Sequence, residues 1–232
     1  MHIFKISAAI ASLVLYLVSP AMADVVTDWN EKALSAGNAA RQTPAGQTPA
    51  QQARNIAMVH LAMFDALNSI EPRYTPYRVQ LKVPNTTSRE AAASAAAHYL
   101  IVRLYPAQSK DADAALQAAL ALVPEGPDKA QGVQLGEKVA AALLEERSTD
   151  GADAPDTYRP YGAAGAYVPT ILTASRNWGL VKPFAMKSGN QFRPGPPYAL
   201  TSAQWAKDYN EVKKMGAKTG SGRSAEQSDT AK

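Results

Sequence analysis

Past the first two dozen residues, His60 and His98 are the only imidazoles in the chain, and imidazole is the side chain best suited to acid–base or metal chemistry near neutral pH. Both lie in apolar, helix-like stretches. His60 sits between Val59 and Leu61 and five residues before Asp65, a spacing that carries the two apart by more than one helical step. A metal pair on one helix wants i, i+4, as in H-E-x-x-H. The plain reading is two helix-packing histidines with one hydrogen bond each; a ligand or general-base role is the sharper alternative. Carboxylates are scattered. Asp28 and Glu31, then Asp111 and Asp113, fall near helix starts, where they favour the positive end of the dipole, and Glu145 and Glu146 read as solvated.

A third cluster is basic. Ser175-Arg176, Lys182, Lys187-Ser188-Gly189 and Arg193-Pro194 gather two Lys, two Arg and a Ser-Gly pair. Such groups suit an oxyanion, or they are charges of a loop that face water or pair with a neighbouring helix. No G-x-S-x-G, P-loop or dinucleotide fingerprint occurs. No residue is therefore assigned as catalytic, cofactor-binding or metal-ligating.

The elements that must position these groups read as helices. Val26, Trp29, Ala33 and Leu34, with Ala40 further on, recur at helical spacing. Thr48-Pro49-Ala50-Gln51 reads as a capping box with Pro at the first helical position; its helix runs through Ile56, Val59, Met63 and Leu67 and stops before Pro72. Ser88 caps an Ala-rich helix ending at Tyr105-Pro106. Ser109, with Asp111 and Asp113, opens the next, through Leu116, Leu120 and Val123. After the turn Pro124-Glu125-Gly126-Pro127 a fifth helix carries Val133, Val139, Leu143 and Leu144. Ala92, Ala93, Ala95 and Ala96, and later Gly132, Gly136 and Ala140, are small enough to let helix axes approach. The expectation for 24–148 is a helical bundle.

The stretch 149–200 differs. It holds seven prolines and six glycines with no sustained period. Tyr158, Tyr161, Tyr167, Trp178, Phe184, Phe192 and Tyr198 give it anchors that a disordered segment does not need. It reads as an ordered, extended arm. In 201–232 periodicity returns: Thr201-Ser202-Ala203-Gln204 reads as a capping box before Trp205, Tyr209 and Val212, and Ser224-Ala225-Glu226-Gln227 caps a further helix. That start so near Lys232 reads as a truncation. The fold class expected is all-α: a helical bundle with a long Pro/Gly-rich extended arm, truncated before a second helical half.

Residues 1–23 read as a secretory signal peptide. Lys5 supplies the positive start, Ile6 to Val18 the apolar run, and Ala21-Met22-Ala23 the small-residue cleavage site before Asp24. An uncleaved anchor is the alternative, but the run is short of the roughly 20 residues a membrane span needs. Cleavage leaves 209 of 232 residues and lowers the formal net charge from +4 to +3, since one Lys and no acid are lost. An excess this mild, without a Lys/Arg block, argues against a nucleic-acid partner. Cysteine is absent, which excludes thiol chemistry and leaves stability to packing. With no second long apolar stretch, the mature chain is expected to be free of the membrane, in the periplasm or outside the cell.

Several segments together resemble the bacterial vanadium-dependent haloperoxidase-like proteins of the type 2 phosphatidic acid phosphatase superfamily. They are Asp28-Trp29-Asn30, Arg54 to His60, Met63 to Asn68, and Arg73-Tyr74-Thr75-Pro76-Tyr77. Further on come Pro183-Phe184-Ala185, Ser188-Gly189, Gln191 to Pro194, Ala199 to Ser202, and Asp208 to Lys213. The order is right over nearly all of the mature chain. The resemblance implies an all-α fold and, for full-length members, a vanadate cofactor used to oxidise halides with hydrogen peroxide, or phosphate-ester hydrolysis at the equivalent site. There the oxyanion is held by K-x6-R-P, P-S-G-H and S-R-x3-G-x-H motifs: Lys and Arg neutralise it, Ser and backbone N–H groups donate, and one histidine is the axial ligand or nucleophile.

This chain lacks those motifs. Lys187 to Arg193-Pro194 is one residue short of the first, Ser188-Gly189 is followed by Asn190, Ser175-Arg176 meets Gly179 one position early, and no histidine follows His98. No catalytic residue is carried over. The resemblance thus implies the N-terminal, non-catalytic half, inactive alone and binding no vanadate by itself, with the C-terminal half as partner and a homodimer allowed for. An exported helical binding or scaffold module without catalysis is the alternative.

Overall fold

The computed structural model describes residues 24–43, 46–155, 157–171 and 175–230. The signal peptide assigned to 1–23 lies outside them. The described residues form helices and turns with no strand, so the fold is all-α as expected. No helix among them is long and apolar enough to cross a membrane. The chain divides into two compact units between Pro155 and Asp156.

The first unit contains α1 (Val25–Arg41), α2 (Pro49–Ile70), α3 (Arg89–Leu104), α4 (Ser109–Ala121) and α5 (Pro127–Arg147). Their ends follow local chemistry. Asp24 caps α1 by accepting from Thr27 N at 2.8 Å. Thr48 and Gln51 form the reciprocal capping box of α2, with Pro49 at the first position. Ser88 accepts from Ala91 N to start α3. Ser109 differs from expectation: a short 3-10 turn, Pro106–Gln108, precedes it, so Ser109 enters as the first helical residue with no side-chain cap. Leu34 differs too. It is 39% exposed, because the buried stripe of α1 runs Trp29, Ala33, Ala36 and Gly37 instead.

α3 is the hub, packed against α1, α2, α4 and α5. Its run Ala91–Ala97, with Leu100 and Ile101, is buried on every side, the signature of a helix enclosed by others. Small side chains make that possible. An added Cβ at Gly132 of α5 would lie 2.6 Å from Ser88 O, and at Gly136 only 2.2 Å from Ala92 O. Met58, Met63, Leu100, Ile101 and Val139 fill the remaining core. Trp29, 2% exposed, ties α1 to the hub by donating from Nε1 to Ser94 Oγ at 2.9 Å.

Among its described residues the second unit has a 3-10 turn (Arg176–Leu180) and two helices, α6 (Ala203–Met215) and α7 (Ala225–Thr230). Ser202, and not Thr201, caps α6 by accepting from Trp205 N; Gln204 instead donates to Asp208 Oδ1 at 2.6 Å. The reason is one of register, since Gln204 is two residues past the true cap and cannot turn back on it. Ser224 and Gln227 do form the expected reciprocal box at α7. Trp205 and Tyr209 stack with centroids 5.2 Å apart.

Candidate functional site

His60 and His98 bridge different helix pairs. His60 Nε2 lies 2.9 Å from Asn30 Oδ1, joining α2 to α1. His98 Nε2 lies 2.6 Å from Asp113 Oδ1, joining α3 to α4, an ion pair whenever the ring is protonated. Asp113 thus serves His98 beside its place near the helix start. Among the described residues no three His, Asp or Glu side chains gather as a metal-holding group.

The basic cluster of the second unit forms local turns. Ser188 Oγ donates to Asn190 Oδ1 at 2.6 Å, and Lys187 N donates to Gln191 Oε1 at 2.7 Å. Arg176 donates to Tyr158 O at 3.2 Å, and its guanidinium carbon lies 5.8 Å from that ring's centroid. The Ser188 hydroxyl and the Arg176 guanidinium, two of the donors an oxyanion would need, therefore have partners inside the unit.

The most constructed polar region lies in the first unit, along one face of α2. Asp65 is 2% exposed and its carboxylate accepts three backbone N–H groups: Tyr77 at 2.7 Å, Arg78 and Val79 at 2.8 Å each. One turn on, Asn68 Oδ1 accepts from Arg73 N and Tyr74 N at 3.0 Å, and its amide donates to Tyr74 O at 2.8 Å. Ser69 Oγ accepts from Leu81 N at 3.1 Å. Asp65, Asn68 and Ser69 thus clamp the Pro-containing loop that follows α2, whose backbone has no ladder of its own.

Asp65 is eleven residues from Arg54, three helical turns, so the two share a face of α2. Arg54 Nε donates to Asp150 Oδ2 at 2.7 Å and its NH2 to Arg147 O at 2.8 Å. Arg147 NH2 meets the same Oδ2 at 2.7 Å. Burial pushes the Asp150 carboxyl upward, but the Arg54 hydrogen bond, the Ala152 N–H and the two guanidinium charges outweigh it and hold the group below its ordinary value. Beside them Arg78 Nε pairs with Glu146 Oε2 at 2.9 Å. Glu146 is therefore paired and largely covered, contrary to the solvated reading, because the clamp on Arg78 delivers its side chain there. Burial raises the Tyr77 hydroxyl above its usual value.

Sequence reasoning missed Arg147 and Asp150. The only local signal was an Arg and an Asp three residues apart across a helix end; the third partner lies 93 to 96 residues away. An open cleft of about 290 Å³ between α2 and α3 is lined in part by Phe64, Tyr74, Glu71, Arg73 and Arg89. Both arginines there pair with Glu71. No protein-family model matches the chain, and comparison with curated proteins and with solved structures finds no match.

Proposed function

We propose that this chain is the N-terminal, non-catalytic part of an exported haloperoxidase-like or acid-phosphatase-like protein, a helical scaffold for an oxyanion centre whose ligands come from a C-terminal half. The observation that carries the reading is where the resembling segments fall. Trp29 holds α1 to α3, Arg54 joins α2 to the end of α5, and Asp65 with Asn68 clamps Arg73 to Val79. Residues that carry the resemblance are residues that build the bundle.

In the first unit the donors present do not fit vanadate or phosphate. His98 faces a carboxylate, which repels an anion, and His60 is on Asn30. Arg54 and Arg147 are already on Asp150. No chemical step is therefore derived from this chain. A scaffold or binding module without any catalytic partner is the second reading, favoured by the buried core that the first unit forms from its own helices.

Assayed alone, the full chain with vanadate, bromide and hydrogen peroxide is expected to show no bromide oxidation above a protein-free control, and no turnover of a phosphate monoester. Turnover that persists in His60→Ala and His98→Ala would mean that the chemistry resides elsewhere in the chain and that the scaffold reading is wrong.

A further inference from the structure

Arg147 is the last residue of α5, yet its side chain is 0% exposed, and that of Asp150 is 1% exposed. Cations at helix ends normally reach water while facing the dipole. Here one carboxylate holds two guanidinium groups on Oδ2 and the N–H of Ala152 on Oδ1 at 3.0 Å. Removing its charge leaves the fully buried Arg147 cation beside the partly covered Arg54 cation, and breaking a buried pair costs far more than an exposed one. Of residues 148–155 only Asp150 and Ala152 are buried, so local opening relieves the repulsion without unpacking the helices.

We propose that Arg54, Arg147 and Asp150 form a charge-gated latch: loss of the Asp150 charge releases residues 148–155 and uncovers the Arg147–Ser148 bond while the bundle stays packed. The groups facing Asp150 are Arg54 from α2 and Arg147 from α5. Behind Arg147 stand Tyr77 of the clamped loop and Glu146, itself paired with Arg78. The carboxyl is below its ordinary value when the latch is closed. Its contribution is therefore complete above the ordinary carboxylate range and fades as pH falls through the lowered value. The latch is closed at neutral pH and opens in acid.

Limited trypsin digestion of the full chain, with hydrogen exchange read over 148–155 and over α2 and α3 as internal reference, tests this. Wild-type protein is expected to resist cleavage at Arg147–Ser148 at pH 8. Asp150→Asn is expected to yield the fragment beginning at Ser148 on the order of 100-fold faster, the scale of a broken buried pair. Arg54→Ala, which leaves Arg147 on Asp150, should give a smaller acceleration. Protection of the 148–155 amides in the wild type, the intrinsic rate at each pH divided by the observed one, should fall below the ordinary carboxylate range. Unchanged cleavage and exchange in both variants would overturn the proposal. So would protection lost in step across α2 and α3, or an Asp150→Asn protein without helical circular dichroism, since either makes the cluster part of the global fold.

Discussion

Gly136→Ala is expected to destabilise the first unit by about 2 kcal/mol or more, although alanine is the better helix former by about 1 kcal/mol. The new Cβ would stand 2.2 Å from Ala92 O, 2.7 Å from Ala96 N and 3.0 Å from Ala95 Cβ. Two of these are backbone atoms of α3, which cannot rotate aside, so α5 must withdraw from the hub. Withdrawal loosens the contacts of Leu135, Val139 and Leu143 on the same face. Overpacked cores typically lose about 1–3 kcal/mol, sometimes more. Urea unfolding followed by far-UV circular dichroism measures the loss. Glu137→Ala, one residue on and exposed, is the control and should move stability by no more than about 0.5 kcal/mol. Equal midpoints for the two variants would show that the α3–α5 approach is not as close as described.

Asp65→Ala is the second large effect, expected at about 3 kcal/mol or more, since hydrogen bonds to a charged group contribute about 1.5–3 kcal/mol each. Three loop N–H groups, of Tyr77, Arg78 and Val79, lose their acceptor together. Released, the loop no longer delivers Arg78 to Glu146. The loss should therefore show twice: as a lower unfolding midpoint, and as faster amide exchange at 77–79 before the helices exchange. Asp65→Asn should be milder, because one carbonyl oxygen remains while an NH2 group turns toward donors. An Asp65→Ala protein with unchanged exchange at 77–79 would remove the clamp from the account.

Much of the fold is legible in the residues because helix ends are local chemistry. Thr48 with Gln51, Ser88, and Ser224 with Gln227 act where their spacing says they should. The small residues Gly132 and Gly136 foretell a close helix contact, though not which helix they meet. Where register decides, local reading slips: Ser202 caps α6 one residue after the expected Thr201, and Leu34 turns outward from a stripe set by Trp29 and Ala33. Partnerships between elements are the least legible. Asn30 for His60, Asp113 for His98, and Asp150 for Arg54 are chosen by packing across 15 to 96 residues, and no periodicity within one helix encodes them.

We have proposed that this helical chain serves an oxyanion centre encoded with it. Sequencing the transcript beyond codon 232 tests that most directly. The expected result is a continuing or adjoining reading frame that encodes K-x6-R-P, then P-S-G-H, then S-R-x3-G-x-H, with the two histidines this chain does not supply. A transcript that stops after Lys232, with no neighbouring frame carrying those motifs, would contradict it and leave an exported helical module with no catalytic partner.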